Sequence, residues 1–165
     1  MLRAASEAGL ADVVSWNAAL GVLERAGRHE DAEALLGEMR AGEGGAPAPN
    51  AISYTHAIAA LAGAGEADAA LGLLGRMRGG REGGVEPNVH TCNAALSALE
   101  KAGRWEEALG LVARMESEGI EPDAVTVRSA IFAACGARPG PPRVAQALEL
   151  FRRAERGGFK GVSPG

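Results

Sequence analysis

Three histidines, two cysteines and 21 acidic residues are the groups in this 165-residue chain able to hold a metal or move a proton. Metal centres and nucleophile–base pairs need such groups at short, defined spacings, or several together on a shared scaffold. His29, His56 and His90 stand far apart, and no second ligand or nucleophile accompanies any of them at a meaningful distance. Each is therefore read as a solvated helix residue. Cys92 and Cys135 are also widely separated, which indicates neither a disulfide framework nor a zinc site and is compatible with a reducing compartment. The run Gly79-Gly-Arg-Glu-Gly-Gly84 lacks the preceding strand and the following Gly-Lys-Ser/Thr of a phosphate-binding P-loop, so it reads as a flexible loop. No catalytic residue, metal or cofactor is expected.

The elements that carry these residues are short helices. In the stretch from Val89 to Asp123, Ala95, Ala98, Leu99 and Ala102 fall at i, i+3, i+4 and i+7, and Ala108, Leu111, Val112 and Met115 repeat the spacing. Each set predicts one apolar stripe on an amphipathic helix. Gly103 is expected to end the first helix in the left-handed conformation. Glu106 and Glu107 suit the positive end of the second, and Pro122 is expected to close the unit. Two such helices cannot bury both stripes alone, so the unit needs neighbours of its own kind.

The chain supplies them. Residues 13–50 carry Ala19, Val22, Leu23 and Ala26, then Ala32, Leu35, Leu36 and Met39; residues 51–88 carry Ala57, Ala60, Leu61 and Ala64, then Ala70, Leu73, Leu74 and Met77. Gly27, Gly65 and Gly103 mark equivalent turns. Relative to residues 89–123, the first two units are longer in Gly-rich stretches read as surface loops. Residues 124–165 form a degenerate fourth unit, with Ala130, Ala133, Ala134 and Ala137, a Pro-rich turn at 136–143, and Ala147, Leu150, Phe151 and Ala154. Residues 1–12 resemble the tail of an incomplete unit. A helix-turn-helix period in the mid-thirties predicts one continuous all-α domain, a right-handed α-solenoid.

Composition narrows the function. Aromatics make up only 4% of the residues, which suits close packing by Ala and Leu, and no apolar run reaches the length of a membrane span. The first twelve residues, with one Arg and two acidic groups, make a poor transit peptide, so a targeting segment is expected to be absent or to lie outside this sequence. A net charge of −4 argues against a broad basic nucleic-acid surface, while leaving room for a local basic track.

The openings Val13-Val-Ser-Trp-Asn17, Ile52-Ser-Tyr-Thr55 and His90-Thr-Cys-Asn93 are each followed by an Ala-Gly turn, a helix of the type [E/D]-x-A-x-x-L-x-x-x-M and a closing Pro-Asn or Pro-Asp. In this pattern residues 13–165 resemble pentatricopeptide repeats, and the Trp-Leu-Gly-Tyr pattern of tetratricopeptide repeats is missing. The resemblance implies single-stranded RNA as the partner. It implies that the fifth and last residues of a unit face one base together: Asn17 with Asn50, Thr55 with Asn88, and Asn93 with Asp123. Val14, Ile52, His90 and Val125 would pack between bases. The family's pairing rule implies a pyrimidine, then A, then U, read 5′ to 3′. A plainer reading makes the fifth residues part of an N-terminal capping region and the closing pairs ordinary turn residues; it accounts poorly for their joint recurrence in three consecutive units. The fourth unit departs from the pattern, with Arg128 at its fifth position and Gly165 at its end, and no base is assigned to it. The His-x-Glu and Cys-x-x-Cys of the deaminase extension that some relatives carry are also missing.

Charge is uneven. Residues 89–123 hold 3 basic and 7 acidic side chains, whereas residues 124–165 hold 7 and 2. Arg152, Arg153 and Arg156 in the latter, with Arg25 and Lys101 near the ends of first helices, are candidate phosphate contacts. The function expected from the resemblance is sequence-selective RNA binding in organellar RNA processing, stability or translation, in a mitochondrion or plastid. The competing reading is a protein-binding scaffold, because the groove of a helical solenoid also accepts peptides. Three readable units predict weak binding alone, so a longer array or a partner is expected.

Overall fold

The computed structural model describes residues 12–78 and 84–136, together with the isolated helical positions 145, 149 and 152. Every regular element among them is helical: α1 Val13–Arg25, α2 His29–Ala41, a one-turn 3-10 helix Glu43–Gly45, α3 Ala51–Ala64, α4 Ala67–Arg78, α5 Val89–Ala102, α6 Trp105–Ser117 and α7 Ala124–Gly136. The chain divides into two compact units, Met1–Pro87 and Asn88–Gly165. In the first, α1 packs on α2 and α3, and α3 on α2 and α4; in the second, α5, α6 and α7 pack on one another.

The turn within each helix pair is set by one glycine. Gly27, Gly65 and Gly103 have φ of +68°, +83° and +65°, a region that costs glycine nothing because it has no Cβ. The next residue's N–H then reaches back to a carbonyl of the last turn: Arg28 to Leu23 at 2.9 Å, Glu66 to Leu61 at 3.0 Å and Arg104 to Leu99 at 3.0 Å. These are Schellman closures. The same device ends α6, where Gly119 has φ +75° and Ile120 N–H donates to Met115 O at 2.8 Å. Pro122, expected to terminate that helix, lies beyond a stop already made by Gly119, and its ring is buried.

The second helices follow their apolar patterns closely. Ala32, Leu36 and Met39 on α2, Ala70, Leu73, Leu74 and Met77 on α4, and Ala108, Leu111, Val112 and Met115 on α6 are buried; Leu35 is partly so. The first helices match expectation in part: Ala57, Ala60 and Leu61 on α3 and Ala95, Ala98 and Leu99 on α5 are buried. Ala26, Ala64 and Ala102, the last members of the predicted stripes, are exposed, as is Val22. Further buried positions that the stripes did not include are Trp16 and Leu20 on α1, Tyr54 and Ile58 on α3, and Cys92 and Leu96 on α5. A first helix has both its own second helix and another first helix to cover, so its apolar arc is wider than a four-residue stripe.

The Gly-rich stretch after α2 is more than a surface loop, because its 3-10 turn delivers Ala46 into the core cluster of Trp16, Leu20, Ala32, Met39 and Ala60. The corresponding stretch after α4, residues 79–83, the Pro-rich turn from residue 137 on, and all of the second helix expected in the fourth unit but positions 145, 149 and 152 lie outside the described residues.

Candidate nucleic-acid interface

Every described first helix begins with an Asp or Asn whose side chain accepts from a backbone N–H three residues on. Asp12 Oδ1 takes Ser15 N–H at 2.9 Å, Asn50 Oδ1 takes Ser53 N–H at 3.1 Å, Asn88 Oδ1 takes Thr91 N–H at 3.0 Å and Asp123 Oδ1 takes Thr126 N–H at 2.9 Å. These closing residues are therefore the N-caps of the helices that follow. The recurrence of [D/N]-x-x-[S/T] at 12–15, 50–53, 88–91 and 123–126 was the sequence signal for this, and the Ser or Thr is the partner that the reading of the repeats overlooked. The capping role falls on the closing residues and not on the fifth ones.

The fifth residues are instead tied to the caps. In the first unit Asn17 Nδ2 donates to Asn50 Oδ1 at 3.2 Å, and Ser53 Oγ lies 2.6 Å from Asn17 Oδ1. Ser53 Oγ also accepts from Asn50 N–H at 3.1 Å, completing a capping box. The hydroxyl has one proton, and the short contact to Asn17 claims it. Asn17 is held so tightly that it is only 8% exposed, and Ser53 is fully buried.

The second unit repeats this wiring atom for atom. Asn93 Nδ2 donates to Asp123 Oδ1 at 3.0 Å, Thr126 Oγ1 donates to Asn93 Oδ1 at 2.7 Å, and Asp123 N–H donates to Thr126 Oγ1 at 3.1 Å. Burial acts to raise the Asp123 carboxyl, but the hydrogen bonds it accepts from the Thr126 backbone and Asn93 outweigh it and hold the group below its ordinary value. It is a carboxylate at neutral pH.

In both triads the bonds converge on a single atom, the Oδ1 of the closing residue. What remains is Nδ2 at Asn50, a pure donor, and Oδ2 at Asp123, a pure acceptor. Thr55 and Asn88 belong to different compact units. Within its own, Thr55 Oγ1 donates to the Ala51 carbonyl at 2.7 Å, and Asn88 caps α5 through Thr91.

The second residues of the repeats form an exposed set. Val14 is 68% exposed, Ile52 55% and Val125 40%, and His90 is exposed as well. Each stands one turn before the fifth residue on its helix and on the same face. Arg25 and Lys101 are exposed at the ends of α1 and α5, and Arg128 is exposed on α7. Arg152 is an exposed helical residue, while Arg153 and Arg156 lie outside the described residues.

His56 departs from the solvated role expected of it. Its Nδ1 lies 2.6 Å from Glu24 Oε2, joining α3 to α1. The ring rests over Gly21, where a Cβ would come within 3.3 Å of His56 Cε1, so glycine is what permits the close approach. Among the described residues no group of three or more His, Cys, Asp and Glu could hold a metal, and no helix is long and apolar enough to cross a membrane.

These features, helix pairs of common pattern with an Asp or Asn cap at the start of each described first helix, define a helical-repeat protein. The PPR repeat family matches residues 87–136, and the PPR repeat matches residues 14–42 and 52–81. The chain belongs to the pentatricopeptide repeat family. Among solved structures it is similar to the pentatricopeptide repeat protein PPR10 in complex with an 18-nt psaJ RNA element, at 29% identity and a TM-score of 0.69, over 97% of this chain and 22% of that one. It is also similar to PPR10 from maize, at 19% identity and a TM-score of 0.69, over 93% of this chain and 21% of that one. The present chain thus spans about a fifth of the length of those relatives. No curated protein matches it.

Proposed function

We propose that this chain binds single-stranded RNA and selects bases through the atoms its capping triads leave unused, with the organellar RNA processing, stability or translation that the family implies as its setting. The observation that carries the reading is the opposite polarity of the atoms left over by two identically wired triads. Asn50 Nδ2 can donate to the N3 acceptor of cytosine. Asp123 Oδ2 can accept the N3–H of uracil and has no proton to offer cytosine. The two triads thus read a pyrimidine and U. The exposed Val14, Ile52, His90 and Val125 supply surfaces against which bases stack, and Arg25, Lys101 and the arginines near the chain's end supply charge for the phosphates. The similarity to an RNA-bound pentatricopeptide repeat protein supports the partner class.

The test is Asp123→Asn. The cap survives, because an Asn Oδ1 accepts from Thr126 N–H and Asn93 as the carboxylate does, so stability should hardly change. The outward atom turns from acceptor to donor. Competition between two RNAs that differ only by U or C at the matching position should shift towards C by on the order of 1 kcal/mol. An unchanged U-to-C ratio in a folded, binding protein would remove the triad from recognition.

A further inference from the structure

The exposed stripe on α7 does not end at Arg128. Val125, Arg128 and Phe132 stand at i, i+3 and i+7, on one face of the helix. All three are exposed, whereas Thr126, Val127, Ser129, Ala130, Ala133 and Ala134 on the remaining arc are buried. Phe132, 54% exposed, is a large aromatic side chain on the face that carries the second and fifth residues of each repeat. The equivalent position holds Gly21 on α1, Ala59 on α3 and Ser97 on α5, all small. None of the roles assigned above uses Phe132.

We infer that Phe132 is a stacking platform for one further nucleotide, the one 3′ of the base that faces Asn93 and Asp123, with Arg128 supplying the cation beside it. The inference rests on the RNA reading and adds a subsite to it. Three features of the fourth repeat agree with this occupant. An aromatic ring stacks on any base, so a platform of this kind works without the hydrogen-bonding fifth residue that Arg128 has replaced. Arg128 gives the stripe a positive charge suited to a phosphate or to the face of a base. The repeat as a whole, with 7 basic and 2 acidic residues, is the basic end of an otherwise acidic chain. The fourth repeat therefore binds without discriminating, and adds affinity where the preceding repeats add selectivity.

The experiment uses the full chain and two RNAs, one ending at the U read by Asn93 and Asp123 and one carrying a single additional 3′ nucleotide. The longer RNA should bind the native protein about fivefold or more tightly, with the gain nearly the same for all four added bases. Phe132→Ala should abolish that gain while leaving affinity for the shorter RNA unchanged, and Phe132→Trp should preserve or increase it. A 3′-terminal 2-aminopurine should be quenched on binding to the native protein and to Phe132→Trp, but not to Phe132→Ala. A gain that survives Phe132→Ala, or one that depends strongly on the added base, overturns the inference while leaving the RNA reading intact. If neither RNA binds the native protein, the RNA reading itself fails. If Phe132→Ala instead turns a self-associating protein into a monomer with no change in the 3′ gain, the ring belongs to a contact between copies and the inference is wrong.

Discussion

The triad of Asn17, Asn50 and Ser53 and the triad of Asn93, Asp123 and Thr126 have the same connections at nearly the same lengths, yet they present opposite faces to a ligand. One atom of each closing residue is consumed by the fold, since it caps a helix and anchors the fifth side chain. The other is left over, and exchanging NH2 for O− there changes nothing in the scaffold. Under the proposed RNA reading, structural and recognition roles need not compete for a residue, because its two terminal atoms divide them. The triads also differ in burial: Asn17 is sealed in, whereas Asn93 is half-buried.

The largest effect should come from destroying the scaffold beneath one triad. Met39 and Met115 occupy equivalent buried positions in the two units. An Asp at either places an unpaired charge in a packed interior, at a cost on the order of 4 kcal/mol. Met115→Asp should therefore unfold the second unit, and Met39→Asp the first. Urea denaturation followed by circular dichroism decides it, and full helicity with an unchanged midpoint would refute the packing.

Removing the hydroxyl that locks each triad should cost less, and unequally. Ser53→Ala leaves Asn17 Oδ1 without its donor in a buried setting and should lose about 2 kcal/mol. Thr126→Val makes the same deletion where Asn93 is more open to water, and about 1 kcal/mol is expected. Equal losses would mean that the difference in burial has no energetic weight.

Asn50→Asp is the reciprocal of the Asp123 exchange. It should move preference at its own nucleotide from C towards U by on the order of 1 kcal/mol, read by competition at fixed salt. A preference moving in the same direction for both exchanges would contradict the opposite polarities of the triads.

The smallest effect is on pH dependence. Because the Asp123 carboxyl is held below its ordinary value in the folded chain, it contributes stability that is fully present above the unfolded value. That contribution is lost as pH falls through the folded value, below about pH 4. Asp123→Asn should remove this part of the acid destabilisation, and Asn50, which does not titrate, has no counterpart to it. Urea midpoints at pH 7 and pH 3 for the native and variant chains give the difference. Asp12 also sits low through its bond from Ser15 N–H, but it is exposed and common to both proteins, so it cancels.

Much of this was legible in the chain itself. The αL glycines at 27, 65 and 103, the methionines at 39, 77 and 115 and the stripes of the second helices follow from spacing, because a second helix buries one narrow face and a turn glycine answers to local sterics alone. The wiring of Asn17 to Ser53 and of Asn93 to Thr126 was not, for each bond joins residues more than thirty positions apart. Neither was the stop at Gly119 ahead of Pro122, although its glycine was in plain view. The wider apolar arc of the first helices was hidden too, because it depends on which neighbours they must cover.

The sequence alone determined the repeat, its family and the chemical identity of each closing residue, since periodicity and short-range sterics are local properties of the chain. Only the tertiary structure decided which oxygen or nitrogen of those residues remains for a partner. That choice is made when two first helices meet and one donor from each claims the same Oδ1, and no pattern along the chain encodes the approach of two side chains across that gap.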